Sequence, residues 1–89
     1  MLKDRIRSTR IARGLKLQQV ADGMHMSLSN YQKYESGNAA PTLEGLVMLA
    51  DLFNVPTDFL LCRDEYLASI GIIVDVPLEG PPRKHRSKV

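Results

Sequence analysis

The chain has 89 residues, 44% of them hydrophobic, with a net charge of +2 and one cysteine, Cys62. That length suits one small domain with a modest core, and no apolar run approaches the ~20 residues a membrane span needs. A single cysteine excludes an internal disulfide framework and suits a reducing compartment, with Cys62 expected as a buried small hydrophobe. The start, Met1-Leu2-Lys3-Asp4-Arg5, runs into charged sequence with no apolar signal core, so a cytoplasmic location is expected. Charge is unevenly placed: residues 1–16 carry +5, residues 64–82 carry −4 and the last seven carry +4. This asymmetry suits one surface for phosphate and another for something else.

In chain order, residues 2–13 read as a first helix with Leu2, Ile6 and Arg10 on one stripe, closed by Gly14. Arg10 extends a core-facing row, and a guanidinium there needs a carboxylate partner. A second helix over about 17–24 uses Leu17, Val20, Ala21 and Met24, with Ala21 small enough for a close crossing. His25 and Met26 then turn the chain into Ser27.

The stretch Ser27 to Gly37 reads as a third helix with a hydroxyl N-cap and a C-terminal glycine. At ~100° per residue, Tyr31, Tyr34 and Glu35 share one face, while Ser29 and Lys33, with Gln32 beside them, fall roughly opposite. Ser, Asn, Gln and Lys carry donors and acceptors that reach base edges and phosphates in a major groove. The stretch therefore has the make-up of a DNA-recognition helix.

Pro41-Thr42 starts a fourth helix over about 42–53, with Leu43, Leu46, Val47, Leu49, Ala50 and Phe53 as a wide apolar face and Asn54 at its end. A short fifth helix follows at about 57–62, with Phe59 and Leu60 packing back on the bundle. Beyond Arg63 the pattern changes: Ile70-Gly71-Ile72-Ile73-Val74-Asp75-Val76, bounded by Pro77, reads as a short strand. A lone strand must pair, either with the same segment of a second subunit or in a groove of its own bundle. Gly80-Pro81-Pro82 is expected to end order before a disordered basic tail.

The spacing of helices two and three, with Ala21 early, a tight turn near His25 and Tyr31 later, is that of a helix-turn-helix. Further motifs follow in order: Arg10, Gly14-Leu15, Val20-Ala21, Ser27 to Lys33, Glu35-Ser36-Gly37, Pro41, Leu46 to Phe53 and Val55-Pro56-Thr57-Asp58-Phe59-Leu60-Leu61. With these, residues 1–63 resemble the Cro and phage-repressor family of helix-turn-helix regulators. The resemblance implies an all-α, five-helix DNA-binding domain over 1–63; the residues beyond it read as an arm over 64–80 and a basic tail over 81–89. It also implies a structural ion pair of Arg10 with Glu35, and DNA contacts from the start of helix two and the exposed face of helix three.

Carried onto this chain, the expected DNA-binding residues are Lys16, Gln18, Ser27, Leu28, Ser29, Asn30, Gln32 and Lys33. Three positions depart from the family pattern. Leu17 stands where Gln is usual, His25 where the turn usually has Gly, and Leu28 where a polar base reader is common. Leu28 has two readings, packing inward or touching a thymine methyl. Gln32 would suit adenine and Lys33 guanine, with Asn30 at the edge near phosphate. Arg7, Arg13 and Lys16 either flank the DNA backbone or form a solvated surface. For the tail, Arg83, Lys84, Arg86 and Lys88, the readings are added phosphate contacts or a solubilising end.

The sequence offers no catalytic constellation. His25 and His85 are far apart, Cys62 has no nearby His, and no metal-ligand spacing or phosphate-cradling loop occurs, so neither an enzyme nor a cofactor or metal is expected. One recognition helix reads few base pairs, so a homodimer on a two-fold symmetric operator is expected, acting as a repressor. Ile70, Ile72, Ile73, Val74 and Val76 are the candidate dimer contact. The alternative is an antitoxin-like module whose arm captures a protein partner.

Overall fold

Caps and glycines divide residues 2–76, the part described by a computed structural model, into six helices: α1 (Leu2–Ala12), α2 (Leu17–Gly23), α3 (Leu28–Ser36), α4 (Leu43–Phe53), α5 (Thr57–Leu60) and α6 (Asp64–Ser69). The local chemistry accounts for each boundary. Gly14 turns the chain at φ 72° after α1. Ser27 and Thr42 accept N–H bonds from Asn30 and Gly45, capping α3 and α4. Asn54 takes φ 55° at the end of α4, a conformation its short polar side chain tolerates.

The apolar stripes of α1 to α5 meet in one core around Ile6, Ala21, Tyr31, Leu49, Phe53 and Leu60, all sealed from solvent. Burying such side chains contributes roughly 1.5–3 kcal/mol each before conformational entropy is counted. Thr9, also sealed, satisfies its hydroxyl by donating to the Arg5 carbonyl at 2.6 Å.

Four expectations are corrected. A sixth helix occupies residues 64–69, where an arm was expected to begin. Asp64 and Glu65 place negative charge in its first turn, favourable for the helix dipole, and Leu67 packs into the core. The 70–76 run, read as a strand, forms none among the described residues. Gly71 at φ 77° ends α6 in a Schellman arrangement, with Gly71 N–H donating to Ala68 O and Ile72 N–H to Leu67 O. The β-branched residues beyond it then turn Val74 and Val76 onto the bundle instead of pairing edge to edge. Cys62, expected buried, is half-buried at φ 63° just after α5, which is shorter than expected. The Gly80-Pro81-Pro82 break and the basic tail lie outside the described residues. Among those described, no helix is long and apolar enough to cross a membrane.

Candidate nucleic-acid interface

α2 and α3 pack through Val20 and Ala21 on one side and Tyr31 on the other. The turn between them is held by its own backbone: Met24 N–H donates to Val20 O, His25 N–H to Asp22 O and Met26 N–H to Ala21 O, each at 3.0 Å. His25 takes φ 59°, so the residue standing where glycine is usual does adopt left-handed backbone. Such a conformation is uncommon outside glycine, though His visits it more readily than most residues.

Arg10 fixes this pair of helices to α1. Its Nε donates to Glu35 Oε2 at 2.7 Å, its Nη2 to Glu35 Oε1 at 3.1 Å and its Nη1 to the Leu15 carbonyl at 2.9 Å. One guanidinium therefore joins α3 to the residue that leads into α2. Tyr31 adds its hydroxyl to the same carboxylate at 2.5 Å. The hydrogen bond to Glu35 strengthens the charged form of Arg10, while burial first and the Glu35 carboxylate second push the Tyr31 hydroxyl far above its ordinary range. Arg10 and Glu35 side chains are only 12% and 8% exposed, so the pair is structural, and Glu35 brings no negative charge to the outer face of α3.

On that outer face Ser29, Asn30, Gln32 and Lys33 are exposed, and Ser27 is exposed beside them at the N-cap. The face is short, polar and cationic, without an acidic residue in its first turn. Lys33 lies in the last turn of α3, where the helix dipole favours a cation. Leu28 is half-buried, intermediate between its two readings. Leu17, standing where Gln is usual, is half-buried against the core. Lys16 is exposed at the N-cap of α2, its backbone N–H donating to Gln19 Oε1 at 2.7 Å. Gln18 is exposed too, its amide donating to Asp22 one turn on at 2.8 Å.

Some basic residues are committed elsewhere. Arg13, one of the candidate flanking residues, donates from Nε to Phe53 O at 2.6 Å and from Nη2 to Asn54 O, at the C-terminal end of α4. The same guanidinium grips Asp75 with two bonds of 3.0 and 2.8 Å. Arg5 donates to Asp64 twice and to Phe59 O, with its guanidinium 4.5 Å from the Phe59 ring centre. Neither role is visible in sequence, because the partners of Arg5 and Arg13 lie 59 and 62 residues away. Arg7 remains exposed. Of the candidate dimer residues, Ile70, Ile72 and Ile73 face solvent, Val74 is half-buried, and Val76 is buried against its own bundle.

A helix-turn-helix family model matches residues 6–60. The HTH-type transcriptional regulator AnsR of Bacillus subtilis is 44% identical over 62 residues, 70% of this chain and 53% of that protein. The cryptic phage CTXphi transcriptional repressor RstR of Vibrio cholerae is 40% identical over 62 residues, 70% of this chain and 55% of its own length. The SPbeta prophage-derived regulator YonR of Bacillus subtilis is 38% identical over 61 residues, 68% of this chain and 56% of that protein. The chain thus spans about half the length of the curated relatives it matches.

Proposed function

The chain belongs to the Cro and phage-repressor family of helix-turn-helix regulators, and from that premise we propose that it is a sequence-specific DNA-binding repressor that occupies its operator as a homodimer. The observation that carries this reading is the exposed polar face of α3, Ser29, Gln32 and Lys33, on a helix locked from behind by Arg10, Glu35 and Tyr31. A rigid mount matters because base readout depends on bond geometry, and a good two-bond contact contributes ≈ 1–3 kcal/mol of discrimination.

In this account α3 enters the major groove. Gln32 reads adenine, Lys33 guanine, and Ser29 a neighbouring base edge. Ser27 and Asn30 contact phosphate at the groove edge, with Lys16 and Gln18 on the adjoining strand, and these contacts set register without reading sequence. Leu28, half in and half out, sits against the sugar or a thymine methyl. Two copies read two half-sites about one helical turn apart. Transcription is blocked because the operator overlaps a promoter.

The test is selection of bound fragments from a random duplex pool at moderate salt with the full chain. A two-fold symmetric consensus supports the reading. Recovery of no consensus, with retention that falls steeply as salt rises, marks a nonspecific binder and defeats it.

A further inference from the structure

Six bases stand among residues 3–16, and three of them are engaged by carboxylates: Arg5 by Asp64, Arg10 by Glu35 and Arg13 by Asp75. The other three, Lys3, Arg7 and Lys16, are exposed. Of these, Lys3 lies against α3. Its stem covers Gly37, the left-handed residue that closes α3 at φ 86°. A Cβ added to Gly37 would come within 2.6 Å of Lys3 Cδ and 3.2 Å of its Cε. Glycine is therefore required here for the room as well as for the backbone angle. A lysine laid down in this way buries its stem and keeps its ammonium in water, so the charge is delivered to the C-terminal end of α3.

An open cleft of about 350 Å³ adjoins this point, lined by Leu2, Lys3, Tyr34 and the loop from Gly37 to Pro41. Asn38 and Ala40 are exposed on its wall. Between them the Ala39 N–H donates to Lys33 O at 3.1 Å, while the Ala40 N–H and the Asn38 side-chain amide have no partner among the described residues.

We propose that this cleft takes a phosphate of the DNA backbone, with Lys3 as its cation and the Ala40 N–H and Asn38 amide as its donors. The inference rests on the reading of α3 as the helix in the groove, and it extends the footprint to α1. A recognition helix meets base edges through its N-terminal residues, so its C-terminal end comes out at the strand that bounds the groove. That end is the wrong pole for an anion. The last carbonyls of α3 carry partial negative charge, and Asp4 adds a full one beside Lys3. A cation fixed at this point reverses the balance, and the packing on Gly37 fixes one. The bridge from Lys3 to Asp4, 3.2 Å between side chains 47% and 66% exposed, is of the weak solvated kind and yields to a phosphate at little cost. The contact is blind to sequence; it sets the register in which Gln32 and Lys33 meet the bases.

Titration of a labelled scrambled duplex and of the selected operator with the full chain, over salt from about 0.05 to about 0.2 M, tests the proposal. The proteins are wild type, Lys3→Met, Lys3→Arg and Arg63→Met, each shown to be folded by its thermal melt. Lys3→Met keeps a stem over Gly37 and removes the charge. Its slope of log K against log salt should fall in magnitude by about 0.9, and its affinity should drop roughly 5-fold at about 0.15 M on both duplexes, leaving their ratio unchanged. Lys3→Arg keeps a cation and should hold the wild-type slope. Arg63→Met removes an equal charge from the exposed turn before α6, where Arg63 pairs with Asp58, and should hold that slope too. A folded Lys3→Met with the wild-type slope overturns the proposal, as does a Lys3→Arg or an Arg63→Met that loses as much as Lys3→Met. A wild type that binds neither duplex overturns this proposal together with the reading of α3. A wild type that binds both duplexes alike defeats sequence reading alone, and the slopes on the scrambled duplex still decide the role of Lys3.

Discussion

Arg5 and Asp64 lie 59 residues apart and form a two-pronged ion pair, Nη1 to Oδ1 and Nη2 to Oδ2, both at 2.9 Å. The same guanidinium donates to the Phe59 carbonyl and stacks on the Phe59 ring, so one buried arginine joins α1, α5 and α6. Removing the carboxylate leaves a poorly solvated charge with one remaining acceptor. Asp64→Ala should therefore cost about 2 kcal/mol, discounted from the buried-pair range because the Asp64 carboxylate is 32% exposed. A shift of the urea midpoint to lower concentration at constant slope measures this; an unmoved midpoint would show the pair to be energetically idle.

The arm carries a pH signature. The hydrogen bonds from Arg5 and Arg13 hold the Asp64 and Asp75 carboxyls below their ordinary value of 3.8. A carboxyl with a depressed folded pKa stabilises the fold fully above its unfolded value, and that contribution is lost as pH falls through the lower, folded value. Stability should hold from neutral pH down to about 5 and decline below about 4. Asp64→Asn should be less stable at neutral pH and should decline less steeply in acid. Equal slopes for wild type and variant, read from urea midpoints across that range, would remove Asp64 from the account.

How much of this was legible beforehand follows from the range of the interactions. Gly14, Ser27, Gly37, Thr42 and Asn54 act within a few residues, and they mark five helix boundaries close to where the structure has them. The polar face of α3 is a matter of helical period and was equally readable. The partners of Arg5 and Arg13 were not, because nothing local distinguishes a basic residue that faces phosphate from one that grips a carboxylate 59 or 62 residues away. α6 was overlooked for a different reason. The β-branched run from Ile70 outweighed the acidic start at Asp64 and Glu65, and strand propensity reflects the packing a segment finds more than an intrinsic backbone preference. Here Gly71 and the Arg13 clamp decided the backbone.

Arg10 is the brace of the helix-turn-helix. Arg10→Ala strands Glu35, only 8% exposed, with the Tyr31 hydroxyl as its remaining donor, and should cost about 3–5 kcal/mol. Arg10→Ala with Glu35→Ala should be less damaging than the sum of the single changes, since the second removes the charge the first strands. A double-mutant cycle on denaturation free energies measures the coupling, and strict additivity would refute a direct pair.

Ser27 separates capping from DNA contact. Its hydroxyl accepts the Asn30 N–H at 3.1 Å, so Ser27→Ala should lose about 1 kcal/mol of stability. Ser27→Asp preserves the cap and places a negative charge beside the proposed phosphate. It should keep the wild-type melting temperature while weakening DNA binding. A variant that melts as the wild type does and binds DNA equally well would remove Ser27 from the interface.

The central claim is that the outer face of α3 reads sequence, and a paired substitution tests it most directly. Gln32→Ala with Lys33→Ala alters two exposed side chains that make no core contact. Titration of labelled selected operator, and of a scrambled duplex of equal length and composition, gives the specificity ratio for wild type and variant at one salt concentration. The account predicts an unchanged melting temperature and a ratio lowered at least ~30-fold, from about 1 kcal/mol or more per lost base contact. A folded variant that keeps the wild-type ratio would contradict the account.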